Sequence, residues 1–390
     1  MTVPRAAASK LAGRFSPLLL TWGLCAVYTL AHVDRGWMPH DEGLLAQTAE
    51  RVLQGELPHR DFDDTYTGGL AYLHALGMAV FGTNLLSLRV VLFLFFLGWV
   101  PVLHSVASRF ARPPVAALTV LLAVAWSVPQ YPAAIPSWYN LFFATFGIAA
   151  LLRYVEQPAA RWLFLAGLCG GLSFLVKITG LFYLAGALAF LTFHEQTVAA
   201  GAGGGPARGA PVYRLALGIG AATAVAALVA LVWSRGPREL WYSVTPPAVV
   251  AGVLLWHEGV ARSRGSWERF ARLAGLATPF IAGAALPLVL FAIPYVASGA
   301  LGDLLAGVFQ IPSRRLGQAV ILPPPVLLSL FTGLPLVLFL QTAVGPRSWT
   351  DLERLLVVVF LGITLLGAPK QAGMYQLVWH SARALVPLGV

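Results

Sequence analysis

"GWMPHDEGLLAQTAERVLQGELPHRDFDDTYTGG", residues 36–69, is a polar island between two apolar runs of helix length. It holds seven of the chain's 16 acidic residues, among them the pair Asp41–Glu42 and the cluster Asp61, Asp63 and Asp64. The flanking runs decide the class. The 390-residue chain is 58% hydrophobic and 11% charged, whereas soluble domains carry roughly a quarter charged residues. Apolar runs long enough to cross a hydrocarbon core of about 30 Å as helices recur along its length. Expected spans are 16–33, 86–107, 115–131, 138–153, 162–177, 179–194, 214–233, 242–258, 273–298, 323–343 and 353–369, with another apolar stretch from 384. The sequence predicts an all-α polytopic membrane protein of about 11–12 transmembrane helices. Residues 70–82 are too short to span comfortably and read as a re-entrant or interfacial helix.

Net charge is +10, but the cations sit in short clusters between apolar runs. That pattern marks cytoplasmic loops and contacts with anionic lipid rather than nucleic acid. With the N-terminus cytoplasmic, Arg109 and Arg112, Arg153 and Arg161, the cluster Arg262, Arg264, Arg269 and Arg272, and the loops at 195–213 and 345–354 all fall inside. The 34–85 loop then faces out, as do the segments 129–140, 234–240, 298–319 and 368–383 and the turn at Lys177. The glycine-rich 195–213 stretch reads as a flexible cytoplasmic loop within one domain, 1–390. The first apolar run lacks a small-residue cleavage site before Asp34 and reads as a retained signal anchor. Cys25 and Cys169, both inside apolar runs, point to no disulfide framework or metal site. No Walker-type phosphate loop, nucleophile elbow or CxxC is present, which disfavours an ATP-driven pump and a serine hydrolase.

Within the polar island, Leu45, Ala49, Val52 and Leu53 recur at helical spacing, and Gly55 is a plausible C-cap. The reading is an amphipathic surface helix with Asp41 at or near its N-cap. From the residues alone two alternatives stay open. Asp41 caps the helix and Glu42 is a first-turn acid, or a carboxylate at the membrane surface serves as general base or holds a divalent cation. Around them, Lys177 either snorkels or meets a lipid phosphate. Arg314 and Arg315 run against the positive-inside bias and could clamp a phosphate. Arg89 could pair with an acid of the loop or meet a donor phosphate. His380 is a further phosphate or acceptor contact. A metal site from His40, His59 and Asp41 has no recognised ligand spacing. Trp138, Tyr139, Trp241, Tyr242, Tyr375 and Trp379 fit an interfacial aromatic belt.

The stretch "HDEGLLAQTAERVLQGELPHRDFDDTYTGGLAYLHALGMAVFGTNLLSLRV" resembles the first outer loop of GT-C fold membrane glycosyltransferases, the protein-mannosyltransferase and aminoarabinose-transferase group. The shared residues are Asp41-Glu42, Gly55-Glu56-Leu57-Pro58, Arg60-Asp61-Phe62, Gly69, Tyr72, Ala75, Phe81-Gly82 and Arg89. His59 stands where Tyr is common, and Thr67-Gly68 where Pro often stands. "LAGLCGGLSFLVKITGLFYL" (165–184) and "VWHSARALVPL" (378–388) also resemble family segments. The resemblance implies a GT-C-like bundle with surface helices in the first outer loop. It implies transfer of a sugar from a polyprenyl-phosphate donor to a saccharide, lipid or protein acceptor. The transfer would be inverting, at the extracytoplasmic face of a bacterial inner membrane. Asp41 would be the base, with Glu42 the second choice, and Asp63, Asp64, Arg89, Lys177, Arg314, Arg315 and His380 would bind substrate. A divalent cation, magnesium or manganese, stays open, with Asp41 its ligand if one is used. The rival readings are a flippase for lipid-linked saccharides, which predicts charges buried mid-span, and a catalytically silent scaffold. Because relatives usually continue further, the apolar stretch that stops at Val390 reads as a short or truncated version.

Overall fold

The computed structural model describes residues 5–201, 210–235, 237–260 and 265–316. Among these the secondary structure is helical, with no strand: α1 (Arg5–Leu30), α2 (Pro39–Leu53), α3 (Gly69–Phe81), α4 (Leu85–Phe110), α5 (Pro113–Ala125), α6 (Pro136–Glu156), α7 (Ala160–Val176), α8 (Gly180–Gly201), α9 (Pro211–Val232), α10 (Pro237–Val260), α11 (Ser266–Ala297) and α12 (Leu301–Leu316). Nine of the eleven expected spans fall on helices, and 70–82 is α3; the stretches 323–343, 353–369 and 384–390 lie outside the described residues. Leu85–Phe110, Pro113–Gln130, Pro211–Val232 and Ser266–Ala297 are long and apolar enough to cross a membrane. The protein is an all-α polytopic membrane protein.

Two expectations change in detail. The 298–319 segment, read as a loop, carries the amphipathic helix α12. The ends of the 195–213 stretch, read as flexible, are helical, at 195–201 and from Pro211, while residues 202–209 lie outside the described residues.

The described residues divide into two compact units, one formed by 5–181 and 279–316, the other drawn from 182–278. In the first, Leu45 and Ala49 of α2, Leu70 and Met78 of α3, Leu92, Phe96 and Trp99 of α4, Val120 and Val124 of α5 and Tyr139 and Phe142 of α6 share one core. Asn84 starts α4 as its N-cap, its side chain accepting from the Ser87 amide at 3.0 Å. Lipid is as apolar as leucine, so helices in a bilayer associate through close packing and hydrogen bonds rather than hydrophobic burial. Gly167 and Gly171 of α7, one turn apart, show this: a Cβ on either would run into the backbone of α11 at Phe280 or Ala284, and one on Gly283 into Phe164. Inside the core the Trp99 indole donates to the Thr145 hydroxyl at 2.9 Å. Tyr139, expected at an interface, is fully buried and meets His74 at 3.1 Å.

The second unit is built around a buried ion cluster. Arg269 of α11 donates to Glu195 of α8 (Nε–Oε1 2.6 Å, Nη2–Oε2 2.6 Å) and to Glu258 of α10 (Nη2–Oε2 2.9 Å). The Tyr213 hydroxyl of α9 donates to Glu195 at 3.1 Å, and Gln196 donates to Glu258 at 3.3 Å. Arg269, expected among the cations of a cytoplasmic loop, has no exposed surface.

Candidate active site in the first loop

Proline at the first position starts α2, and its buried face runs Glu42, Leu45, Thr48, Ala49. The helix therefore packs an acid, along with its apolar stripe, against α3 and α4. Glu42 is 1% exposed, and Arg89 in the first turns of α4 is 5% exposed. They form a two-pronged fork, Nε–Oε1 2.5 Å and Nη2–Oε2 2.7 Å. The rest of the guanidinium donates to the carbonyls of Val33 (2.9 Å), Arg35 (3.2 Å) and Gly36 (2.7 Å). Glu42 also accepts from the Met38 amide at 2.9 Å. One arginine thus ties the loop's entry and the start of α2 to α4.

Asp41, the neighbouring acid, points elsewhere. It sits in the first turn of α2 rather than at the N-cap, which is Met38, and no side chain caps the helix. Its Oδ2 accepts a hydrogen bond from the Tyr131 hydroxyl, and the residue is half-exposed. Tyr131 belongs to a short connection between α5 and α6. Its amide donates to the Val128 carbonyl at 3.1 Å, and its own carbonyl accepts from the Trp138 indole at 3.0 Å.

The second acidic cluster splits in the same way. Asp61 is held below the usual carboxylate range by the Arg60 guanidinium (2.6 and 2.9 Å) and then by the Leu57 amide at 2.7 Å. Asp63 is exposed, and Asp64 is buried with its Oδ1 accepting from the Tyr66 amide at 2.9 Å. That bond aims Tyr66, whose ring lies 5.9 Å from Nζ of Lys177. Thr67 then donates to the carbonyls of Phe174 (2.8 Å) and Leu175 at the end of α7. Gly68, at φ +96°, turns the chain into α3 through a left-handed conformation that a side chain resists.

Lys177 is the C-cap of α7, and its Nζ donates to the Ser137 hydroxyl of α6 at 3.2 Å. Asn140 steadies the turn, donating to Thr179 at 2.8 Å and accepting from Ser173 at 3.2 Å. The loop, the α5–α6 connection and the α7–α8 turn therefore form one chain of contacts running Asp41–Tyr131–Trp138, Ser137–Lys177, Tyr66–Asp64. Tyr131, Ser137 and Tyr66 had not been singled out from the sequence. A tyrosine and a serine in an apolar chain carry no signature until the fold brings them to an acid and a lysine.

Of the expected site residues, the structure joins Asp41, Asp64 and Lys177 through these intermediates and takes up Glu42 and Arg89 in each other. Arg314 and Arg315 fall in the last turn of α12, where only the backbone is described, and His380 lies outside the described residues. Among the described residues no group of three or more His, Cys, Asp or Glu side chains converges to hold a metal ion.

Residues 69–200 match the model of the dolichyl-phosphate-mannose-protein mannosyltransferase family. The match supports a GT-C membrane glycosyltransferase. It covers about a third of the chain, α3 through most of α8, and so includes Arg89, Tyr131, Ser137 and Lys177 but not the acids of the first loop. The comparisons with curated proteins and with solved structures return no match.

Proposed function

We propose that this integral membrane glycosyltransferase moves a sugar from a polyprenyl-phosphate donor to an acceptor at the extracytoplasmic face, with inversion and with Asp41 as general base. The observation that carries the assignment is the division of the acidic pair. Glu42 is buried and taken up by Arg89, while Asp41, on the same turn, is only half-buried and accepts a hydrogen bond from the Tyr131 hydroxyl through Oδ2. In the step, Asp41 accepts the acceptor's proton as the acceptor oxygen attacks the anomeric carbon. The bond from that carbon to the phosphate oxygen breaks, and the polyprenyl phosphate leaves with the electron pair. Lys177 supplies the compensating positive charge, and Tyr66 and Trp138 offer aromatic faces to the sugar. Asp63 and Asp64 shape the loop beside it. Arg314, Arg315 and His380 remain proposed donor contacts.

The flippase alternative predicts charge buried in mid-span. The buried triad instead joins the last two turns of α8, the end of α10 and the first turn of α11, which favours the enzyme.

Asp41→Asn keeps the side chain's size and hydrogen-bond reach but removes the base. Transfer from a labelled polyprenyl-phosphate sugar should fall about 10²–10⁴-fold while donor binding and the size-exclusion profile hold. Wild-type turnover in this variant would sink the assignment.

A further inference from the structure

We infer that Tyr131 is a positioning residue, and that the α5–α6 connection it stands on sets the register between base and cation. The inference rests on Asp41 being the base. Asp41 lies on α2 and Lys177 at the end of α7, far apart in sequence and on elements with no common backbone. The connection meets both. The Tyr131 hydroxyl reaches Asp41, and six residues on, the Ser137 hydroxyl reaches Lys177 at 3.2 Å. Between these points the segment is pinned rather than loose. Tyr131 is held through its own amide and carbonyl, the latter by Trp138 at 3.0 Å, and Ala133 and Ala134 are fully buried.

A half-buried carboxylate on the first turn of a helix has more than one rotamer open to it about its two side-chain bonds. A hydroxyl donated from a separate, anchored segment selects one of them and occupies one oxygen, leaving the other oxygen for the acceptor's proton. The hydroxyl does not touch the reacting atoms. It fixes where the accepting oxygen lies relative to a phosphate held at Lys177. Small misplacements of a reacting group are costly, about a hundredfold in rate for about 1 Å. Asp41 is flanked on its own helix by His40 and by Glu42, whose carboxylate is taken up by Arg89 of α4, and it accepts from Tyr131.

Tyr131→Phe isolates the hydroxyl, because the bonds that anchor the segment use the backbone of residue 131. The experiment measures kcat and donor KM for the wild type, Tyr131→Phe, Asp41→Asn and the double variant, in detergent, each checked for thermal stability. The expected result is a kcat about ten- to a hundredfold lower in Tyr131→Phe, with donor KM and melting temperature unchanged. On the Asp41→Asn background the same substitution should change the residual rate by less than about twofold, since nothing is left to position. An unchanged kcat in Tyr131→Phe, or an equal loss on both backgrounds, overturns the positioning role while leaving Asp41 as base. A loss that appears in donor KM or in melting temperature instead makes Tyr131 structural and also overturns it. If Asp41→Asn itself turns over normally, the base assignment fails first, and any Tyr131 effect then belongs to something else.

Discussion

Arg89 and Arg269 are both nearly inaccessible and both grip a glutamate with two nitrogens, yet their remaining hydrogen bonds go to different places. Arg89 spends its other donors on the carbonyls of residues 33, 35 and 36, so one charge pair organises a stretch of irregular chain. Arg269 spends them on a second carboxylate, Glu258, so three charges close on themselves between helices. The first arrangement is neutral and leaves the neighbouring acid, Asp41, half-exposed. The second sets two carboxyl groups against one guanidinium, with further hydrogen bonds donated by Tyr213 and Gln196, and leaves no acid over. A buried carboxylate beside an arginine is therefore not a site by itself. The acid that can do chemistry is the one its arginine does not take.

The largest effect should come from breaking the closed cluster. Arg269→Met leaves Glu195 and Glu258 buried together without a cation, a loss of about 3–5 kcal/mol, read as a drop in melting temperature in detergent. Replacing all three charges at once with Glu195→Leu, Glu258→Met and Arg269→Met should recover most of that loss, because an apolar set avoids the desolvation cost. If the triple variant is no more stable than the single one, the cluster is more than a structural clamp.

Glu42→Gln tests the open cluster. It keeps the shape of the Arg89 contact but removes its charge, and should cost about 1.5–3 kcal/mol of stability, the worth of a charged hydrogen bond. Turnover per folded molecule should stay well above that of Asp41→Asn. A folded Glu42→Gln protein as inactive as Asp41→Asn would erase the difference between the two acids.

Much of this was legible in the sequence, and the pattern of misses has a physical cause. Span positions followed from apolar runs because a bilayer forces the backbone to satisfy itself as helix. α2 and α3 followed from spacing and length. The glycine motif before Lys177 was visible as a resemblance, and the reason for it, backbone contact of α7 with α11 at Gly167 and Gly171, was not. Arg269 looked like one more loop cation, because a sequence shows a charge but not the glutamates that come from 74 and 11 residues away to meet it. The sequence ranked Asp41 above Glu42 as base through the resemblance alone, for the same reason: adjacent residues on a helix point about 100° apart, and what lies along each direction is set by α4 and by the α5–α6 connection. Tyr131 could be recognised only once those segments were in place.

The smallest expected effect concerns His59. It is the one non-glycine residue among those described with a positive φ, +65°, and it is 8% exposed, its ring against Gly307 of α12. Burial pushes its imidazole below the usual histidine range, and the nearby carboxylates of Asp64 and Asp63 pull the other way without winning. Arg60 and Asp61 adjoin it in the loop, and Tyr72 of α3 and Tyr295 of α11 border the same corner, Tyr295 donating to the Pro58 carbonyl at 2.9 Å. The folded protein therefore holds His59 neutral at a pH where the unfolded chain has begun to protonate it. As pH falls through about 6.5, the unfolded state binds more protons than the folded one, and stability drops until the lowered folded value is passed. Above that window the contribution is constant. His59→Asn cannot titrate, and asparagine accepts a left-handed backbone, so melting temperatures measured from pH 8 to pH 5 should fall less steeply for the variant than for the wild type. Parallel curves would mean that the loop holds the histidine charged or exposed, and that the Asp64 corner is not the dry pocket its burial implies.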